Sequence, residues 1–228
     1  MRRILVIGDK AYSSWSLRGW LLLEAFGVPF EERLARMFGP EFDAVLSEIA
    51  PARTVPALII EDAAGRRVLW DSLAIAEHLA EAHPDAGHWP ADPAARDAAR
   101  ALAAEMHSSF GALRSEAPMN MKRRRPGHPL SFAARADIAR IEALWAHARA
   151  VRDARGLPGP YLFGAFSAAD AFYAPIVSRF ETYGVALSSE GAAYAAAVAA
   201  HPAMAAWRAA AEAQPWIQPR YHFGEETG

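Results

Sequence analysis

The chain has 228 residues, a formal net charge of −2, 53% hydrophobic residues and no cysteine. That length fits one large or two small domains, and with nine basic and twelve acidic side chains in residues 1–84, neither half carries the bias that nucleic-acid or anionic-membrane binding demands. The missing cysteines exclude disulfides, thiolate zinc sites and chemistry on a thiol of the protein itself; with no signal-peptide core after Arg2-Arg3 and no apolar run near the ~20 residues of a membrane span, a cytoplasmic setting is expected.

Taken in order, Ile4 to Gly8 (ILVIG) is a β-branched run closed by Gly8-Asp9 and predicts a buried strand. Ser16 to Phe26 predicts a helix, with Leu17, Trp20 and Leu21 near helical spacing and Gly27 placed to end it. Pro29 to Met37 is a second strand candidate, and Glu41 to Ile49 a short helix. TVPALII, then EDAAGRR, then VLW reads as strand, turn, strand with Gly65 in the turn. Ser72 to Ala82 predicts a helix capped by Asp71 or Ser72. The order is β-α-β-α-β-β-α over residues 1–83. PDAGHWPADP, 84–93, reads as a linker, and everything in 94–228 reads as helical: 94–116, 131–155, 168–183, 189–199 and 203–213.

Three stretches carry the chemistry. In DKAYSSWSLRGW the serines stand where a helix begins. The first N–H groups of a helix lack partners and its dipole is positive there, so a serine caps them and an anion is stabilised beside them. If the anion is a thiolate, the sulfur belongs to a ligand, and a serine hydroxyl donating to it lowers its pKa. In TVPALII, a proline opening a central strand is either a trans residue at a strand start or a cis Val55-Pro56 bond that leaves the backbone of Val55 open to an extended peptide. In WDSLAI, Asp71 and Ser72 either cap the helix or hold an α-amino acid head, the carboxylate on the ammonium and the hydroxyl and N–H groups on the carboxylate.

In their order and spacing, Ser13-Ser14-Trp15-Ser16-Leu17-Arg18, Val55-Pro56, Asp71-Ser72 and the capping box Ser167-x-x-Asp170 resemble the cytosolic glutathione transferase superfamily over nearly the whole chain. The nearest pattern is that of the serine-type zeta class, which includes maleylacetoacetate isomerase; Trp15 stands where that class has Cys, and Thr54 where it usually has Gln. The resemblance implies an α/β plus all-α fold, a thioredoxin-like domain followed by a helical bundle. It implies glutathione as cosubstrate, an electrophilic small molecule as its partner, and a homodimer. Site roles carry over by position. Ser13, with Ser14 in reserve, stabilises the thiolate, and Trp15 lines the site. Val55 pairs with the cysteinyl backbone beside a cis Pro56, with Arg53 and Thr54 alongside, and Asp71 and Ser72 hold the γ-glutamyl end.

The second substrate is expected against the first helix after the linker. Met106, Phe110 and Arg114, at i, i+4 and i+8, share one face of that helix, and Arg114 suits an acidic substrate. For Met106 and Phe110 taken alone, core packing is the favoured reading. Lys122 to Arg125 reads as a solvated basic loop. His83, His88 and His107 form no ligand-spaced cluster, so no metal is expected. Three functions stay open: a conjugating transferase, a glutathione-dependent cis–trans isomerase, and a non-catalytic binding module on the same scaffold.

Overall fold

The computed structural model describes residues 1–222; the last residues of the expected 94–228 segment lie outside the described residues. Strand β1 (Arg2–Ile7), helix α1 (Ser14–Glu24), strand β2 (Glu31–Leu34), helix α2 (Pro40–Glu48), strands β3 (Ala57–Asp62) and β4 (Gly65–Trp70) and helix α3 (Ser72–Ala82) follow in the expected order. Helices α4 (Pro93–Ser108), α5 (Gly111–Glu116), α6 (Phe132–Ala154), α7 (Ala168–Tyr183), α8 (Ser189–Ala200) and α9 (Pro202–Ala213) complete it.

The sheet runs β2-β1-β3-β4, with β1 and β2 parallel and the other pairs antiparallel. Successive side chains on a strand face opposite ways. Leu5, Ile7, Leu58 and Ile60 therefore join α1 and α3 in the larger core, while Val6, Ala57 and Ile59 pack under Phe42 and Val45 of α2. Helix α1 lies close on the loop before β3, because Gly19 has no side chain there. A Cβ at Gly19 would stand 2.7 Å from Pro56 Cβ.

Helix α7 runs through the middle of the helical half, with every residue but Glu181 buried, and packs on both α1 and α4. A helix apolar all round is a core helix. Its start is fixed by Asp170, which is buried and accepts from Ser167 N–H (2.8 Å), Ser167 Oγ (2.9 Å) and Leu162 N–H (3.1 Å). Trp145 of α6 meets Tyr173, Phe180 and Tyr194 edge-on, with ring centroids 4.7 to 5.9 Å apart.

One expectation is corrected. The stretch 94–116 is two helices: α4 ends at Ser108, Phe110 adopts φ +64° and α5 begins at Gly111. The left-handed turn at Phe110 breaks the rotation that would have aligned Met106, Phe110 and Arg114. The stretch before α4 is anchored: His88 is buried, its Nε2 donates to the Leu22 carbonyl (2.9 Å), and its own carbonyl accepts from Ala168 N–H (2.7 Å). The Lys122–Arg125 run is also tied down, with Lys122 Nζ on the Gln214 carbonyl, Arg124 on Glu181 and Arg125 N–H on the Thr182 carbonyl at 2.6 Å.

Candidate functional site

The start of α1 is built by hydroxyls. Ser13 is the N-cap, in extended backbone, and its Oγ accepts from Ser16 N–H (3.3 Å). The Ser13 hydroxyl also donates to Ser16 Oγ (2.7 Å), which in turn accepts from Gly8 N–H at the end of β1 (2.9 Å). This chain locks the cap to the sheet. The first turn of α1 holds no acidic side chain, so nothing there neutralises the positive end of the helix dipole.

Ser14 is buried, and its Oγ accepts from Arg179 Nη2 of α7 (3.3 Å). Arg179, itself buried, also donates to the carbonyls of Ala117 (2.9 Å) and Pro175 (3.2 Å). Burial first, then the charge of Arg114, pushes its pKa down to about 10. Arg18 is completely buried, and burial followed by the charges of Arg114 and Arg179 lowers its pKa well below the ordinary value. Its guanidinium lies 4.4 Å from the Trp15 ring, and that of Arg114 lies 4.6 Å from the same ring. His107 meets the Trp15 ring edge-on at 5.2 Å. The helical half thus brings its cations to the serine end of α1, where electrostatics favour an anion.

Across from these, the Val55-Pro56 bond is cis. Among the described residues, neither the N–H nor the C=O of Val55 pairs with another backbone group. Asp71 sits at φ +79°, a conformation rare for a non-glycine residue. Its Oδ1 accepts from Leu73 N–H (2.8 Å) and its Oδ2 lies 3.2 Å from His107 Nε2. Ser72 Oγ is buried and has no hydrogen-bond partner among the described residues.

Two adjoining cavities result. One, of about 270 Å³, is lined by Trp15, Thr54, Val55, Pro56, Asp71 and Ser72. The other, of about 200 Å³, holds Ser13 and Ser14 with Arg114, Arg179 and Tyr221 around them, and Trp15 lines it too. Tyr221 reaches this cavity by stacking on Tyr12 (5.1 Å), while Gln218 Nε2 ties the C-terminal stretch to Asp9 Oδ2 (2.6 Å) and the Met37 carbonyl (3.0 Å).

Ser13, Ser14, Trp15, Thr54, Val55, Pro56, Asp71, Ser72 and Arg114 are therefore brought to the two cavities. Arg53 is exposed on the loop beside Thr54 and lines neither. Met106 and Phe110 are core residues, with 0% and 4% exposure: Met106 on α4 and Phe110 in the turn before α5 both pack into the larger core. Sequence reasoning missed Arg18, Arg179, Tyr12, Tyr221 and the pairing of His107 with Asp71. The signal available for the arginines was their place among apolar residues, in SLRGW and VSRFET, since arginine is almost never fully buried unless paired.

Two family models match this chain: glutathione S-transferase N-terminal domain over residues 12–82 and glutathione S-transferase C-terminal domain over residues 131–210. The chain belongs to the glutathione S-transferase superfamily, and its fold is the one those two domains define. A probable maleylacetoacetate isomerase from Caenorhabditis elegans is 36% identical over 93 residues, a match spanning 41% of this chain and 41% of that relative. Among solved structures, maleylacetoacetate isomerase from Anaeromyxobacter dehalogenans, with glutathione bound in its active site, is 26% identical. It aligns over 90% of this chain and 94% of its own with a TM-score of 0.64. Glutathione transferase Omega 2C from Trametes versicolor shares the fold at 16% identity and a TM-score of 0.66, covering 97% of each chain. No helix among the described residues is long and apolar enough to cross a membrane, and no cluster of potential metal ligands occurs among them.

Proposed function

We propose that this protein binds glutathione across the two cavities and activates its thiol for attack on an electrophilic carbon. One observation carries the reading. Paired hydroxyls at an uncompensated helix start stand beside an open Val55 backbone and an Asp71-Ser72 pair, all reached from cavities that share Trp15. In this reading Val55 pairs with the cysteinyl backbone, Asp71 takes the γ-glutamyl ammonium, and the unpartnered hydroxyl of Ser72 donates to the adjoining carboxylate. Arg53, outside the cavity wall, meets the glycyl carboxylate, and Thr54 and Trp15 bound the tripeptide. Glutathione bound in a relative of this fold supports the choice of peptide.

The sulfur then lies at the start of α1. Ser13 and Ser14 are the hydroxyls that donate to it. The Ser13 proton is directed at Ser16 Oγ and must turn to reach a ligand, whereas Ser14 accepts from Arg179 and keeps its proton for one. Donation to the thiolate and the positive helix end both favour the charged form, so the thiol proton leaves to solvent at lower pH. The thiolate attacks carbon, forms the C–S bond, and the displaced group departs. Arg114 and Arg179 beside the sulfur suit an acidic second substrate. The molecule is read as two domains, 1–83 and 94–228 joined by 84–93, which assemble as a homodimer with the first domain of one subunit on the helical domain of the other.

The likeness to maleylacetoacetate isomerases favours a second reading, in which the thiolate adds to a double bond, allows rotation and leaves again. Product analysis separates them. With glutathione and a maleyl-type substrate, the transferase reading expects a stable thioether and consumption of glutathione. Appearance of the trans isomer with glutathione undiminished replaces it with the isomerase. Retention of glutathione without either product leaves the non-catalytic binding module.

A further inference from the structure

We propose that Trp15 is the specificity-determining residue of this site, a fixed partition that restricts the second substrate to compact electrophiles; the inference rests on the glutathione reading above. Trp15 is the one residue common to the linings of both cavities. Its ring does not lie loose between them. Arg18 from its own helix and Arg114 from α5 place guanidinium groups 4.4 and 4.6 Å from it, and His107 of α4 closes on its edge at 5.2 Å. Cations over an aromatic face hold it by the ring quadrupole, more strongly where water is excluded, and Arg18 is fully buried.

The volumes show what the partition does. Cavities that enclose drug-sized ligands run to roughly 300–1,000 Å³, whereas the serine cavity holds about 200 Å³, with Tyr12 and Tyr221, stacked 5.1 Å apart, in its wall. With the sulfur at Ser13 and Ser14, the space left on that side of the indole fits a small group and not a fused or substituted aromatic ring. A smaller residue at position 15 merges the two cavities around the reacting sulfur.

The test compares two displacement reactions with glutathione on the same protein. Iodoacetate is the compact electrophile, losing iodide as the C–S bond forms. 1-Chloro-2,4-dinitrobenzene is the bulky one, losing chloride. Wild type, Trp15→Ala and Trp15→Phe are assayed, and the ratio of kcat/KM for the aryl substrate to that for iodoacetate is read within each protein. Changes in glutathione affinity or folded fraction cancel from that ratio. Opening or closing room for a few carbon atoms shifts such ratios about tenfold or more, so Trp15→Ala is expected to raise it about tenfold and Trp15→Phe by less. Where Trp15→Ala does not fold, Trp15→Phe, which keeps an aromatic face for both cations, decides. A rise beyond about threefold in a folded variant upholds the partition, and a smaller change in the folded variants overturns it. Wild type that turns over neither electrophile with glutathione overturns the functional reading and this inference together; turnover with an unmoved ratio overturns only the inference.

Discussion

Replacing Asp170 with alanine removes one acceptor on which three donors converge: Ser167 N–H at 2.8 Å, Ser167 Oγ at 2.9 Å and Leu162 N–H at 3.1 Å. Leu162 is 0% and Ser167 2% exposed, so water does not replace the lost partner. Each stranded backbone donor costs about 1–3 kcal/mol, while relief of a buried carboxylate works the other way, so a net loss of about 3 kcal/mol is expected at neutral pH. The pH dependence sharpens the test. Burial, outweighing the hydrogen bonds, pushes the carboxyl up from 3.8 to about 6. The folded state then holds this proton more tightly than the unfolded one. The resulting stabilisation is complete below about 3.8 and is lost as pH rises through about 6. The deficit of Asp170→Ala should therefore be larger at pH ~4.5 than at pH ~7.5, by about 2 kcal/mol at ~1.4 kcal/mol per unit. Urea unfolding of both proteins at the two pH values measures it. A deficit below about 1 kcal/mol, or one that grows with pH, refutes the reasoning.

Gly19→Ala should destabilise by about 1–3 kcal/mol, because its Cβ meets Pro56 atoms at 2.7 and 2.8 Å. The displaced loop should also weaken glutathione binding, and a variant of unchanged stability and affinity shows that α1 and the Val55-Pro56 loop are not coupled. Asp71→Asn should raise the glutathione Kd about tenfold, the low end for an ammonium pair because the Asp71 side chain is 42% exposed. On going from wild type to Asp71→Asn, an analogue lacking the γ-glutamyl amine should lose less than about twofold by calorimetry, and an equal loss for both ligands removes Asp71 from the ammonium.

The order of elements was legible because each signal was local. Asp71 and Ser167 cap helices where their side chains fall, Gly27 follows α1, and alternation along β1 and β3 sorts two cores. The serines, Val55-Pro56 and Asp71-Ser72 were legible as a set because their spacing survives folding. The single long helix over 94–116 was misread because Ser109-Phe110-Gly111 carries no proline and keeps an apolar stripe, and the left-handed Phe110 is imposed by packing rather than by local preference. The arginine cluster was hidden for a different reason. Arg179 reaches Ser14 from 165 residues away, and Trp15 is gripped by Arg114 only once α5 has docked. Such contacts are made by tertiary structure and leave no periodic trace.

The measurement closest to the central claim is an ultraviolet titration of the glutathione thiol bound to this protein, repeated on Ser13→Ala, Ser14→Ala and the double variant. A charge-assisted hydrogen bond contributes about 1.5–3 kcal/mol, equivalent to one to two pH units. The bound thiol should therefore ionise at least about one unit below the ~8.5 of an ordinary thiol, and the double variant should return it toward that value. A thiol that titrates on the wild-type protein as it does in water, or that is unmoved by loss of both hydroxyls, contradicts the account.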